Sequence, residues 1–422
     1  MRLTRWLAAA ALLGAVCVTA ASQSATAGSG LGVHHVWVIE IENEGFDSSY
    51  VSNPNPYLSK TLPHQGALLT QYYGIGHESN DNYLAEISGQ APNPMTQGDC
   101  QDYVDFRPAV ATSDGQYVGQ GCVYPSQVQT IANQLTSAGL SWKGYMQDMG
   151  NDENREPDRC GTPTNPSGLG FRDGTQSASA VDQYAARHNP FVYFHSIIDT
   201  RACNLDVVPL DQLTGDLASV STTPNFSFIT PNLCNDGHDA PCTGKDVRGS
   251  TAGGLVSVDH FLSMYVPLIT SSAAFKQDGL IIVVTDEAAN SDASSCCNEQ
   301  TGPNTIAPGI GGSGGGVVGA VVLGRCVNAA TRSTAPYNHY SLLRTLEDIY
   351  GIKTHLGYAG ATGQRSFGAD VFTACPAAAP GGPPPNQSAH GSTIPRTGGL
   401  PLAIGALLVV VFAASMRRVV KR

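Results

Sequence analysis

Charge is scarce in this chain, and positive charge scarcest. Asp, Glu, Lys and Arg make up 14% of its 422 residues, with 23 basic against 34 acidic side chains and a formal net charge of -11. So few cations exclude a protein built to hold nucleic acid through sequence-independent phosphate contacts. The surplus of carboxylates is suited instead to gathering a hard cation. Cysteine pairs at C-x-x-C spacing are missing, which argues against a zinc ribbon. No internal repeat and no composition break is visible between residues 28 and 375, so that stretch reads as one domain. What is present is 41% hydrophobic residues, enough for a substantial core, and 47 glycines, which imply long polar loops.

Both ends carry export signals. Residues 1–27 read as a signal peptide: a basic MRLTR, an apolar WLAAAALLGAVCVTAA and small residues before Gly28. Removing it takes Cys17 and leaves ten cysteines, an even number that fits disulfides in an oxidising compartment. Sequence proximity suggests the pairs Cys234/Cys242 and Cys100/Cys122, and the adjacent Cys296 and Cys297 are expected to bond elsewhere. Residues 376–396 form a Pro/Gly/Ser-rich linker. Residues 397–422 form an apolar run with a basic tail, read as a membrane span or a wall-sorting signal. The combination of IPRTGG, apolar run and basic tail resembles the signal by which Gram-positive bacteria attach proteins to the cell wall, with Ile394 where Leu is usual. The catalytic part, 28–375, would then sit outside the cell on a stalk. No protein partner is evident.

Between the ends, apolar runs alternate with amphipathic stretches. HHVWVIEI (34–41), LSWKGYM, NFSFITPN (225–232), GLIIVVTDE (279–287) and GVVGAVVLG (316–324) read as strands. Helices are expected at 126–139, capped by Ser126, at 255–270, where Pro267 should kink or end the helix, and at 339–351, with His339 as a structural cap. This alternation predicts an α/β fold with a mostly parallel central sheet.

Ligands of such sheets bind beyond the carboxyl ends of the strands. Two strands here finish in paired oxygen ligands, Glu42-Asn43 and Asp286-Glu287, and these four are the candidate metal ligands. Three carboxylates without a cation would repel one another strongly in a poorly solvated place. Ser79, at the start of a short helix in GIGHESNDNYLAEISG, is either a plain N-cap or a nucleophile at a helix N-terminus that favours anions. The loop PNLCNDGHDAPC, braced by Cys234 and Cys242, offers Asp236, His238 and Asp239. His238 could touch a phosphate or protonate a leaving group.

The motifs VWVIEIENEGFD, HESNDNYLAEISG, PNLCNDGHD, LIIVVTDEA and NHYSLLRTLEDIYG occur in an order that resembles the bacterial and fungal phosphoesterase family. That family includes secreted acid phosphatases and phospholipases C within the alkaline phosphatase superfamily. The resemblance implies a three-layer α/β/α sandwich and one divalent cation (Ca, Mg, Mn or Zn) on Glu42, Asn43, Asp286 and Glu287. It implies Ser79 as the nucleophile and His238 near the phosphate. His77 is the second choice for a proton carrier, and Asn82, Asp236 and Asp239 are expected to contact substrate. Glu78 and Asp81 stand where the family motif has prolines. A phosphomonoesterase acting on a small-molecule or lipid substrate through a phosphoserine leads. A phospholipase C or other phosphodiesterase and a non-catalytic surface adhesin are the alternatives.

Overall fold

The computed structural model of the chain describes residues 31–164, 172–305 and 314–375. The expected signal peptide, linker and C-terminal apolar segment lie outside the described residues. Among the described residues, no helix is long and apolar enough to cross a membrane.

An eight-stranded sheet organises the domain. In chain order its strands are β1 (His35–Ile41), β2 (Ala67–Leu69), β3 (Trp142–Met146), β4 (Val207–Pro209), β5 (Phe226–Thr230), β6 (Gly279–Thr285), β7 (Ala320–Gly324) and β8 (Thr331–Ser333). Across the sheet they run β8-β2-β7-β6-β1-β5-β3-β4. Every neighbouring pair is parallel except the two that β7 makes.

Both faces of the sheet are covered, and the strand sequences say why. Every residue of β1 and β6 is buried, as continuous apolar runs in a parallel sheet require. Val36 and Val38 join one core cluster and Trp37, Ile39 and Ile41 the other; β6 divides in the same way. The first cluster is completed by Tyr83, Leu84 and Ile87 of α1 (Ser79–Ser88), by α2 (Ile131–Ser137), and by Leu342, Leu343 and Leu346 of α4 (His339–Ile349). The second is completed by Val258, Phe261, Leu262, Val266 and Ile269 of α3 (Gly254–Ser271). The result is the expected three-layer α/β/α arrangement.

Several local readings need correction. α2 starts at Ile131, not near Ser126, because Thr130 caps it in a reciprocal box with Asn133. Pro267 does not end α3, which continues to Ser271; the proline faces solvent, where water can serve the carbonyl it leaves unpaired. β7 begins only at Ala320, since Gly316 and Gly319 both hold positive φ and break the ladder before it. Asn338, not His339, caps α4, accepting from the Ser341 N–H. All ten cysteines that follow Cys17 pair, as Cys100–Cys122, Cys160–Cys203, Cys234–Cys242, Cys296–Cys297 and Cys326–Cys375. Cys296 and Cys297 thus bond to each other, on a turn where Cys297 and Asn298 take positive φ.

Ile282 lies at the centre of β6 and is fully buried. Ile282→Ala should cost about 2–5 kcal/mol of unfolding free energy, read by denaturant titration. A loss below about 1 kcal/mol would show that this strand is not in the core.

Candidate active site

Strand parity and register set the floor of the site. Even-numbered residues of β1 and β6 face the α1 layer, so alternation sends Glu40, Glu42 and Asp286 the same way. Ile41 is in register with Thr285, which makes Glu42 and Asp286 neighbours across the strand ends. The Asp286 N–H donates to the Ile41 carbonyl at 3.0 Å. Asp286 Oδ1 accepts from the backbone N–H groups of Asn43 (3.0 Å) and Glu287 (2.7 Å). Its Oδ2 is buried with no hydrogen-bond partner.

Over this floor lies the first turn of α1. Ser79 is the first helical residue; Glu78 holds the cap position but makes no capping hydrogen bond with its side chain. Freed from a capping role, the Ser79 hydroxyl donates to Glu42 Oε2 at 2.8 Å. One turn on, the Tyr83 hydroxyl donates to Glu42 Oε1 at 2.6 Å. Asn82 is occupied in shaping the loop that delivers Ser79. Its Oδ1 accepts from the N–H groups of Ile75 and Gly76, and its Nδ2 donates to the carbonyls of Gly76 and Glu78 and to Glu287 Oε2. It therefore positions the site where substrate contact was expected.

The third side comes from β5, the other neighbour of β1. Its continuation forms the loop closed by Cys234–Cys242. Asp236, also expected at substrate, is instead fully buried, with Oδ2 3.2 Å from His188 Nδ1. His188 Nε2 lies 3.4 Å from Glu42 Oε1. The His188 ring stacks on Tyr83 at 5.3 Å, and Thr230 at the end of β5 donates its hydroxyl to the His188 carbonyl. Beside it, Arg187 brings Nη2 to 3.0 Å from His238 Nε2, while His238 Nδ1 meets Asp239 Oδ1 at 2.8 Å. An N–H from Arg187 makes that Nε2 the acceptor, so His238 carries its proton on Nδ1 and has none at Nε2 for a leaving group. Neither Arg187 nor His188 was singled out from sequence. The only signal was an Arg-His pair before Asn-Pro in a chain short of cations.

The candidate residues thus divide. Glu42, Ser79, Asp286, Glu287 and Asn82 converge, and Asp236 joins Glu42 through His188. The side chain of Asn43 is exposed and lines a cavity of about 880 Å³ with Phe46, Gln71 and Asp292; only its backbone N–H reaches Asp286. Its φ of 59° is left-handed, so the chain turns away from the strand at this residue. His77 is buried, with Nδ1 3.2 Å from the Ala288 carbonyl and Nε2 without a partner. His339 does not cap a helix; its Nε2 donates to the Asp286 carbonyl at 2.7 Å and its Nδ1 lies 2.7 Å from Glu86.

Electrostatics show what this cluster lacks. Burial, then Glu42 and Glu287, push the Asp286 carboxyl well above the carboxylate range. Burial and Glu42 do the same to Glu287 and Asp236. His188 is held neutral by burial and by the nearby Arg187 and His238. Ligand atoms of Glu42, His188 and Asp236 all lie within 4.8 Å of one another, and all three residues are buried. Crowded acids, a neutral imidazole oriented by a carboxylate and an orphaned Asp286 oxygen together fit a divalent cation.

A raised carboxyl pKa in the folded state gives stability that is present at low pH and lost as pH climbs through the folded value. For Glu78, raised from 4.5 to about 7 by burial and by Asp99, that window is about 4.5 to 7; Asp286, Glu287 and Asp236 act in the same direction. The metal-free protein should therefore melt at lower temperature as pH rises from about 5 to about 8. Added divalent cation should restore the most at the upper end. A melting temperature that rises with pH in chelator would contradict this picture.

The family model for the phosphoesterase family matches residues 37–353. A phosphate-repressible acid phosphatase of Penicillium chrysogenum is 26% identical over 319 residues, 75% of this chain and 58% of the relative. A phosphatidylinositol-3-phosphatase of Mycobacterium tuberculosis is 25% identical over 351 residues, 83% of this chain and 88% of the relative. The chain spans 44–61% of the length of the fungal relatives it matches. A protein in the alkaline phosphatase superfamily from Vibrio parahaemolyticus superposes with a TM-score of 0.42 at 15% identity, covering 79% of this chain and 70% of the other. With a family match that runs from β1 to just past α4, the chain belongs to the phosphoesterase family.

Proposed function

We propose that this protein is a metal-dependent phosphomonoesterase that works through a phosphoserine on Ser79. The observation that carries the reading is the Ser79 hydroxyl, 2.8 Å from Glu42 Oε2 among buried carboxylates beyond the ends of the central strands. Ordinary core packing gives little reason to bury a serine hydroxyl on Glu42, a carboxyl itself crowded by Asp286, Glu287 and Asp236. The phosphatase names of the relatives favour a monoester over the phospholipase C or phosphodiesterase alternative. Five disulfides support an exported protein, with attachment to membrane or wall resting on the C-terminal sequence alone.

The chain's own groups suffice to outline the steps. Glu42 orients Ser79 and accepts its proton at Oε2. Ser79 Oγ attacks phosphorus, the Oγ–P bond forms, and the ester P–O bond breaks in line. The leaving alkoxide takes a proton. His77 is our choice for that role, as the imidazolium: its Nδ1 proton is given to the Ala288 carbonyl, so only a second proton, loaded on the unpartnered Nε2, can pass to the alkoxide, whereas His238 Nε2 is held by Arg187. Burial lowers the His77 pKa, so a proton it picks up is readily passed on. Water then attacks the phosphoserine and gives a proton to His77 Nε2 as the Oγ–P bond breaks; phosphate leaves, and Ser79 Oγ recovers its proton from Glu42. A cation held by Glu42, His188, Asp236 and Asp286, with Glu287 beside them, would neutralise the developing charge on oxygen.

Ser79→Ala should reduce kcat on a phosphomonoester by about a thousandfold or more, with the fold intact by circular dichroism. Retained turnover would overturn the phosphoserine route. Chelation should abolish hydrolysis and lower the melting temperature together, and divalent cation should restore both. A rate indifferent to chelator would overturn the metal. Side-by-side rates on a monoester, a diester and phosphatidylcholine test the substrate class, and faster diester cleavage would hand the site to the alternative.

A further inference from the structure

We propose that Asp99 is a built-in competitor for the phosphoryl group: its carboxylate occupies an anion seat made by the Asn80 N–H and Arg187, and a phosphate ester binds by displacing it. The inference rests on the phosphatase reading and adds to it how substrate enters and product leaves.

The seat is built from two independent donors. Asn80 is the second residue of α1, so its N–H is one of the free donors at the helix start, next to the Ser79 hydroxyl. It donates to Asp99 Oδ1 at 3.0 Å. Arg187 supplies the second. Its side chain is 3% exposed, and burial works against its charge, but Asp99, Glu42 and Asp236 outweigh that and hold it ionised. Its two terminal nitrogens are committed, one to the Gln176 carbonyl and one to His238. The remaining Nε faces Asp99 Oδ2 at 3.4 Å, near enough for ionic attraction, yet it has no hydrogen-bond partner. A planar carboxylate thus satisfies the helix N–H and falls short of the guanidinium. A tetrahedral phosphoryl group, with three oxygens and more charge, is the better match to both.

Asp99 is also placed to leave. Its side chain is 15% exposed, unlike the buried carboxylates beneath, and the Glu78 carboxyl, raised to about 7 by burial and in part by a side-chain hydrogen bond to Asp99, offers it a partner outside the seat. Its backbone stays fixed by the Thr96 carbonyl and by the adjoining Cys100–Cys122 disulfide, so only the side chain has to swing. On this view Asp99 weakens ground-state binding by the fraction of time it fills the seat, and on its return it helps to expel inorganic phosphate.

The test is calorimetric titration of inorganic phosphate into the cation-loaded full chain, which needs no turnover. Asp99→Ala should bind phosphate about tenfold more tightly than the unaltered protein, with a matching fall in the product-inhibition constant. Asp99→Asn should fall between the two, and Arg187→Gln should lose phosphate binding. Glu78→Gln removes the neighbouring carboxyl without emptying the seat and should change affinity less than Asp99→Ala. The proposal is overturned if Asp99→Ala binds phosphate no tighter, or if Glu78→Gln tightens binding as much, which would mean general repulsion. Should Asp99→Ala fail to fold, Asp99→Asn decides: tighter binding supports the competitor, and unchanged or weaker binding overturns it. An unaltered protein that cleaves no phosphate ester while Asp99→Ala still tightens would remove the phosphatase reading and leave the anion seat standing.

Discussion

Two carboxylates held side by side in a dry place are the constraint on which the rest of the site depends. Glu42 and Asp286 meet because Ile41 and Thr285 share a register and because alternation turns both side chains toward α1. Removing such charges from water costs several kcal/mol each, even after relaxation. Hydroxyls of Ser79 and Tyr83 and two backbone N–H groups offset part of that cost. Below them the strain continues. Glu40 is fully buried with both oxygens unpaired, and burial and Glu86 drive its carboxyl toward the neutral form. A cation would relieve this many acids held together, and the His339 contact to the Asp286 carbonyl fixes the floor on which it would rest.

The site is assembled from parts of unequal stiffness. Glu42 and Asp286 stand at the ends of the two strands at the centre of the sheet, and Ser79 on a helix packed over them. Arg187 and His188 come from a single 3-10 turn (Ala186–His188) and His238 and Asp239 from a loop, tied down by Thr230, by stacking on Tyr83 and by the Cys234–Cys242 bridge. Reacting groups on regular elements with adjustable groups on braced loops make a common division of labour, since the former set distance and the latter tolerate different substrates.

Much of this was legible in the residues. VWVIEI and LIIVVT could hardly be anything but buried strands, and polar pairs at their ends marked where a ligand would lie. Ser79 was findable because a helix began there, in a stretch that resembles the family's nucleophile motif. Arg187 and His188 were not, since the segment carrying them has no periodicity and owes its position to partners 42 to 48 residues away. The start of α2 was misread because Ser126 and Thr130 are both capable caps, and only the reciprocal bond with Asn133 favours the second. Mutual pairing of Cys296 and Cys297 depended on a local turn that spacing cannot reveal.

Asn43 turns the chain with a left-handed backbone, its side chain directed to solvent and the neighbouring cavity. Bulky or β-branched amino acids resist that conformation, whereas glycine, asparagine and aspartate accept it. The bend itself therefore restricts which residues fit this position, whatever the amide does. An asparagine preserved here among related chains would testify to the geometry of the corner as much as to any ion, and swapping it for glycine would separate the two causes.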